Sequence, residues 1–228
     1  LAVYAPYIQE TGAYANQTIS AKPICVGTFC PDNYGGEVYG NTSMKNAFRW
    51  SYNTAALRLF YNIGVDTAFN YLHQFNFQSL VEEDENYAAS LGGLTYGVTP
   101  LEMADAYASF SDGSYVRAHA IRSVKNKDGD VLYEWPQQKQ QIWSPHTASQ
   151  IRSMLADVVV NGTGEGAYAT DGYIGVKTGT TNNWNDYWLA GLSTNYSASI
   201  WIGYDKPASM QRIEKSKIHH QLFNILIN

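Results

Sequence analysis

The sequence predicts an α+β fold, a helical half followed by an antiparallel sheet half. Three observations predict it. Apolar residues at helical spacing and helix-capping signals dominate up to residue 162. Three short strand-like runs then lie between residues 173 and 204. No internal repeat or linker divides the chain, so residues 1–228 read as one domain.

Residues 1–10 read as the tail of a helix, punctuated by Pro6 and closed near Gly12. Residues 17–40 read as loop, because Pro, Gly, Asn and Asp recur and Gly35-Gly36 is a breaker. Short helices are predicted over 43–50, 54–61 and 66–75, with Ser51-Tyr52-Asn53 at the first joint. Thr99-Pro100-Leu101-Glu102 is a helix start, with Thr99 as cap, Pro100 in first position and Glu102 completing a capping box. Met103, Tyr107 and Phe110 share one face of that helix. Segments 121–124 and 131–135 flank Lys127-Asp128-Gly129-Asp130, a hairpin signal. Ser144-Pro145 opens another helix, with Ile151, Met154, Leu155 and Val158 as its stripe and Gly162 as its stop. Residues 162–166 read as flexible loop, not a phosphate loop, since no Lys-Ser/Thr follows at the required spacing. Strands over 173–178, 187–192 and 199–204 are separated by short turns and should pair antiparallel. A last helix over 213–227 carries Ile218, Leu222 and Ile225 at helical spacing, a stripe expected to cover the sheet.

Hydrophobic residues make up 45% of the chain and charged residues 15%, enough apolar material for a sizeable core. The net charge of −5 and the lack of a basic stripe argue against a nucleic-acid partner. No apolar stretch approaches the ~18 residues of a membrane span. The opening Leu1-Ala2-Val3-Tyr4 lacks a start Met and a basic leader, so the chain reads as cut from something longer. Cys25 and Cys30 lie in a Gly/Pro/Asn-rich loop, where a small disulfide or two free thiols are the alternatives. Their spacing suits neither a redox pair nor a zinc site.

The run Lys177-Thr178-Gly179-Thr180-Thr181 carries the most chemistry. Gly175 and Gly179 flank the lysine, so a substrate backbone can approach the strand closely. An open strand edge holds an extended peptide through main-chain hydrogen bonds. Hydroxyls on Thr178 and Thr180 suit a terminal carboxylate, and Lys177 adds a cation that stabilises anions in a low-dielectric cleft. The alternative is a strand end and a turn. Ser51-Tyr52-Asn53 is a weaker signal. A serine there passes a proton between a nucleophile and a leaving amine, and an asparagine holds a substrate amide; the alternative is an N-cap for the next helix. Ser193-Thr194-Asn195, between two predicted strands, reads as a turn. His219-His220 reads as solvent-facing, and Glu82-Glu83-Asp84-Glu85 as a solvated acidic loop. No cofactor or metal site is implied, and no Gly-x-Ser-x-Gly elbow exists.

Together these residues resemble a known family. Lys177 to Asn182, Asp186-Tyr187-Trp188-Leu189-Ala190-Gly191 and Ile200-Trp201-Ile202-Gly203-Tyr204-Asp205 look like the end of a class A penicillin-binding protein transpeptidase domain. Tyr96 to Ala104 and Ala106-Tyr107-Ala108 resemble its central helix, and residues 47–59 its second motif. The resemblance keeps motif order over nearly the whole chain. It implies a penicillin-binding protein/β-lactamase-like fold whose N-terminal strands are missing here. It implies a D,D-transpeptidase that cross-links peptidoglycan stem peptides through a serine acyl-enzyme and is a target of β-lactams. Ser51, Asn53 and Lys177 would be catalytic, with Thr178, Gly179 and Thr180 binding substrate and a Thr180 N–H serving the oxyanion. It also implies an upstream glycosyltransferase domain, a membrane anchor and an extracytoplasmic location.

One motif of the family signature is Ser-x-x-Lys, and no serine in residues 1–228 is followed three places on by lysine. The family register puts that pair just before Leu1. The chain alone is therefore expected to be unable to form an acyl-enzyme. A D,D-carboxypeptidase and a non-catalytic wall-peptide-binding module are the competing readings.

Overall fold

The computed structural model describes residues 1–136 and 138–228. Helices α1 (Tyr4–Thr11), α2 (Met44–Arg49), α3 (Asn53–Ile63), α4 (Val65–Leu72) and α5 (Pro100–Ala108) build the helical half. Their ends follow local chemistry. α1 stops because Gly12 adopts a left-handed φ of 66° and its N–H bonds back to the Ile8 carbonyl. α5 starts in the expected capping box, with Thr99 Oγ1 accepting from Glu102 N and the Glu102 carboxylate accepting from Thr99 N. Trp143, fully buried, packs against Tyr71, Phe75 and Phe110 and centres this half's core.

Helix α6 (Pro145–Asn161) begins at Ser144, whose hydroxyl accepts from Thr147 N, and buries Ile151, Met154, Leu155 and Val158 as the sequence predicts. The main sheet holds three strands, β7 (Ile174–Thr180), β8 (Asp186–Ser193) and β9 (Ser197–Gly203), in that order and antiparallel throughout. A Cβ on Gly175 would come within 2.8 Å of Leu155 Cβ, so α6 covers the face to which odd-numbered β7 residues point. Tyr187 stands opposite even-numbered Thr180 and stacks on His219 at 5.5 Å, so the last helix, α7 (Ile218–Ile227), covers the other face. Lys177 shares the parity of Gly175 and faces the helical half.

Small sheets were not legible. β1 (Thr18–Ser20), inside the stretch read as loop, pairs with β2 (Asn41–Ser43) just beyond it, and β3 (Ser114–Tyr115) pairs with β6 (Gln140–Gln141). Strands of two or three residues carry too little alternation to register. The expected hairpin forms from β4 (Ser123–Lys125) and β5 (Val131–Glu134). Cys25 and Cys30 are joined in a disulfide.

Three expectations about the C-terminus fail, among them that His219-His220 faces solvent. The helix over 213–227 is interrupted at Lys217, which takes a left-handed φ of 47° after a 3-10 turn at Gln211–Ser216. Ile218, Leu222 and Ile225 face outward, while His219, His220, Phe223 and Ile227 are buried. The helix is apolar on two sides, and two imidazole rings occupy the inner one, His219 stacked on Tyr187 and edge-on to His220. The acidic run is also not simply solvated. Asp84 is 1% exposed and accepts from Val81 N and Thr95 N, tying its loop together.

Candidate active site

Between the two halves lies a cavity of about 330 Å³ whose lining includes Ser51, Asn53 and Lys177 to Thr180. Phe48, Leu80, Leu94, Val98 and Met103 make its apolar walls. The sequence-predicted site residues therefore meet, although 126 positions separate Ser51 from Lys177.

Ser51 is placed by the way α2 ends. Its N–H bonds to the Phe48 carbonyl and that of Tyr52 to the Ala47 carbonyl, a tight termination in which Ser51 takes a left-handed φ of 58°. A left-handed non-glycine residue costs roughly 1 kcal/mol, and such outliers concentrate where function requires an unusual direction. Neither Ser51 nor Asn53 serves as the N-cap of α3. Tyr52 holds that position without a side-chain bond.

Lys177 reaches across from β7. Its Nζ donates to Ser51 Oγ at 2.9 Å and to the Thr178 carbonyl at 2.9 Å, and lies 5.8 Å from the Phe48 ring centre. Desolvation in the groove pulls the ammonium from its ordinary 10.5 down to about 8. The amine is thus close to losing its proton near neutral pH, which suits a group that exchanges protons with a neighbouring hydroxyl.

Asn53 points its side-chain amino group at the Asp32 carbonyl, 2.7 Å away, leaving its own carbonyl oxygen for another donor. The hydroxyl of Thr178 lies 2.6 Å from that of Thr163. Thr180 is exposed on the groove rim. β7 is an edge strand of its sheet among the described residues, open to an added extended chain.

Two supports escaped sequence reasoning, and one glycine was misread. Thr163 belongs to the loop read as flexible, yet its flanking glycines are close-packed. A Cβ on Gly162 would come within 2.8 Å of the Arg49 carbonyl, and one on Gly164 within 2.5 Å of Val176. The two glycines around a threonine were the available signal. Asp157, 7% exposed, holds Arg49 at 3.2 Å and Lys45 at 3.8 Å, fixing α6 to α2 beneath Ser51. A carboxylate among the apolar residues of a helix stripe was the clue there. Gly175 was read as room for substrate, but Tyr173 and Leu155 of the protein itself fill that room.

Known proteins resemble this chain. The family described as the penicillin binding protein transpeptidase domain matches residues 3–213. Penicillin-binding protein 4 of Bacillus subtilis is 42% identical over 209 residues, covering 91% of this chain and 34% of that protein. Penicillin-binding protein 1A of Neisseria meningitidis is 32% identical over 227 residues, covering 92% and 28%. The chain thus spans about a third of the length of these curated relatives. The solved structure of PonA1 from Mycobacterium tuberculosis in complex with penicillin V superposes with a TM-score of 0.80 at 20% identity, covering 99% of this chain and 67% of that one. The common fold is the α+β fold expected from the sequence.

Proposed function

As the chain belongs to the penicillin-binding protein transpeptidase family, we propose that it forms two of the three motif walls of a serine acyl-transfer site that cross-links peptidoglycan stem peptides. The observation that carries this is the 2.9 Å hydrogen bond from Lys177 Nζ to Ser51 Oγ at the floor of a groove beside an edge strand. The nucleophilic serine and its activating lysine lie outside residues 1–228, since no Ser-x-x-Lys occurs within them.

In this reading an extended stem peptide adds to β7, and its terminal carboxylate meets Thr178, Thr180 and the charge of Lys177. The serine oxygen adds to the carbonyl of the penultimate D-Ala. A backbone N–H at Thr180 steadies the oxyanion. The amide then breaks, an ester to the serine forms, and Ser51 passes a proton to the departing D-Ala amine with Lys177 as its proton reserve. The Asn53 carbonyl oxygen accepts from a substrate amide N–H. An amine from a second stem attacks the ester, releasing the serine and making the cross-link. A β-lactam enters as a mimic of the dipeptide and stays as a slow ester; the PonA1 fold relative is itself described in complex with penicillin V. Residues 1–228 form one domain of a longer protein on the extracytoplasmic face of the membrane, which supplies an anchor and an upstream glycosyltransferase domain.

Intact mass after incubation with a penicillin tests this. The full-length protein is expected to gain one penicillin, and residues 1–228 alone none. Ser51→Ala and Lys177→Ala in the full-length protein are expected to slow acylation about 10²-fold or more. Wild-type acylation in both variants would sink the assigned roles, and an adduct on residues 1–228 would mean that they contain another nucleophile.

A further inference from the structure

Residues 25–40 touch three consecutive positions of the second motif, each in a different way. Tyr39 stacks on Tyr52 with ring centres 3.8 Å apart and planes within 11°. The Asp32 carbonyl accepts from Asn53 Nδ2 at 2.7 Å. The Thr54 hydroxyl donates to the Ala21 carbonyl at 2.7 Å, and Asn33 Oδ1 accepts from Thr54 N at 3.2 Å. Asn33 is 6% exposed and Thr54 2%, so this last contact is shielded from water. Asn33 Nδ2 donates to the Glu37 carbonyl at 3.0 Å, closing the loop on itself, and the Cys25–Cys30 disulfide closes its other end.

Such an investment in a surface loop calls for a reason. Ser51 stands immediately before these three positions in a left-handed conformation that its own backbone disfavours. A strained residue persists when its surroundings over-determine it. The contacts just after Ser51 do so, and they also orient Asn53, because only its amino group can face the Asp32 carbonyl.

We propose that Asn33 is a positioning residue for the Ser51–Asn53 pair, acting through the segment 32–39 that follows the Cys25–Cys30 disulfide as a clasp on residues 52–54. The proposal rests on the acyl-transfer reading above. Asn33 itself touches no reacting atom. Its work is to keep Ser51 Oγ within reach of Lys177 and the Asn53 oxygen turned toward the groove.

The test uses the full-length protein and a fluorescent penicillin. Asn33→Ala is expected to lower the acylation rate at saturation about tenfold, with the half-saturating concentration kept within about twofold. It is also expected to speed hydrogen exchange at the Thr54 amide. Asn33→Asp keeps an acceptor for Thr54 but loses the donor to the Glu37 carbonyl, and is expected to recover only part of the rate. Should Asn33→Ala not fold, Asn33→Ser, too short to reach Thr54 N, takes its place with the same expectation. A folded variant that acylates at the wild-type rate overturns the proposal, as does slowing in Asn33→Ala with unchanged exchange at the Thr54 amide. If the unaltered protein forms no adduct, the acyl-transfer reading fails by itself. The clasp is then judged on Thr54 exchange, where faster exchange in Asn33→Ala supports it and unchanged exchange overturns it.

Discussion

Lys177 is held in a groove where desolvation alone brings its ammonium down to about 8. If its charge grips substrate, acylation of the full-length protein falls as pH rises through about 8, because the neutral amine attracts no carboxylate. Lys177→Arg stays protonated across this range. It is expected to acylate more slowly but with no fall near pH 8, and a rate profile between about pH 6 and pH 10 checks this. Gly175 makes a different kind of claim. Adding a methyl there presses on Leu155 and Tyr173, so Gly175→Ala is expected to cost about 1–3 kcal/mol in urea unfolding. Residue identity made Lys177, Thr178 and Ser51 visible in the sequence, because their chemistry is short-range and motif-bound. Gly175 was misread because a glycine shows only that something comes close. Whether substrate or a neighbouring helix comes close is decided by α6, about 20 residues away in sequence.

At the scale of elements, caps and periodicity predicted α5, α6 and the three strands of the main sheet close to their observed bounds. α7 defeated the same method. Apolar residues occupy both its sides, so spacing alone could not choose the buried one, and two histidines took the place that the isoleucines were expected to hold. This has a measurable consequence. Burial, with His220 and Lys217 nearby, lowers His219 from 6.5 to about 4. The unfolded chain takes up a proton near 6.5 while the folded protein resists it. Stability is therefore fully present above pH 6.5, falls as pH drops toward 4, and levels off below. His219→Phe, which keeps a ring against Tyr187, is expected to flatten that decline in urea midpoints. An equally steep decline in the variant would place the acid sensitivity elsewhere.

The whole molecule is two halves that meet at the groove, and the seam is where sequence reasoning had least to work with. It named the facing pair, Ser51 and Lys177, but not the carboxylate that braces them. Asp157 connects α6 to α2 through Arg49 and Lys45; its place in an apolar stripe marks it as unusual, but its Arg49 partner, 108 positions away, cannot be read from periodicity. Asp157→Leu is expected to destabilise by about 2 kcal/mol, less than a fully buried pair because Arg49 is partly solvated. It is also expected to slow acylation more than stability alone explains, since the helix that ends at Ser51 loses its anchor; equal losses in both measurements would make the bridge purely structural. Selection acts on the molecule entire, and at position 51 its two demands part. The left-handed backbone there favours glycine, whereas the proposed proton relay requires the hydroxyl. A laboratory lineage chosen only for heat tolerance should therefore drift toward glycine at this position, and one chosen for wall synthesis under the same heat should not.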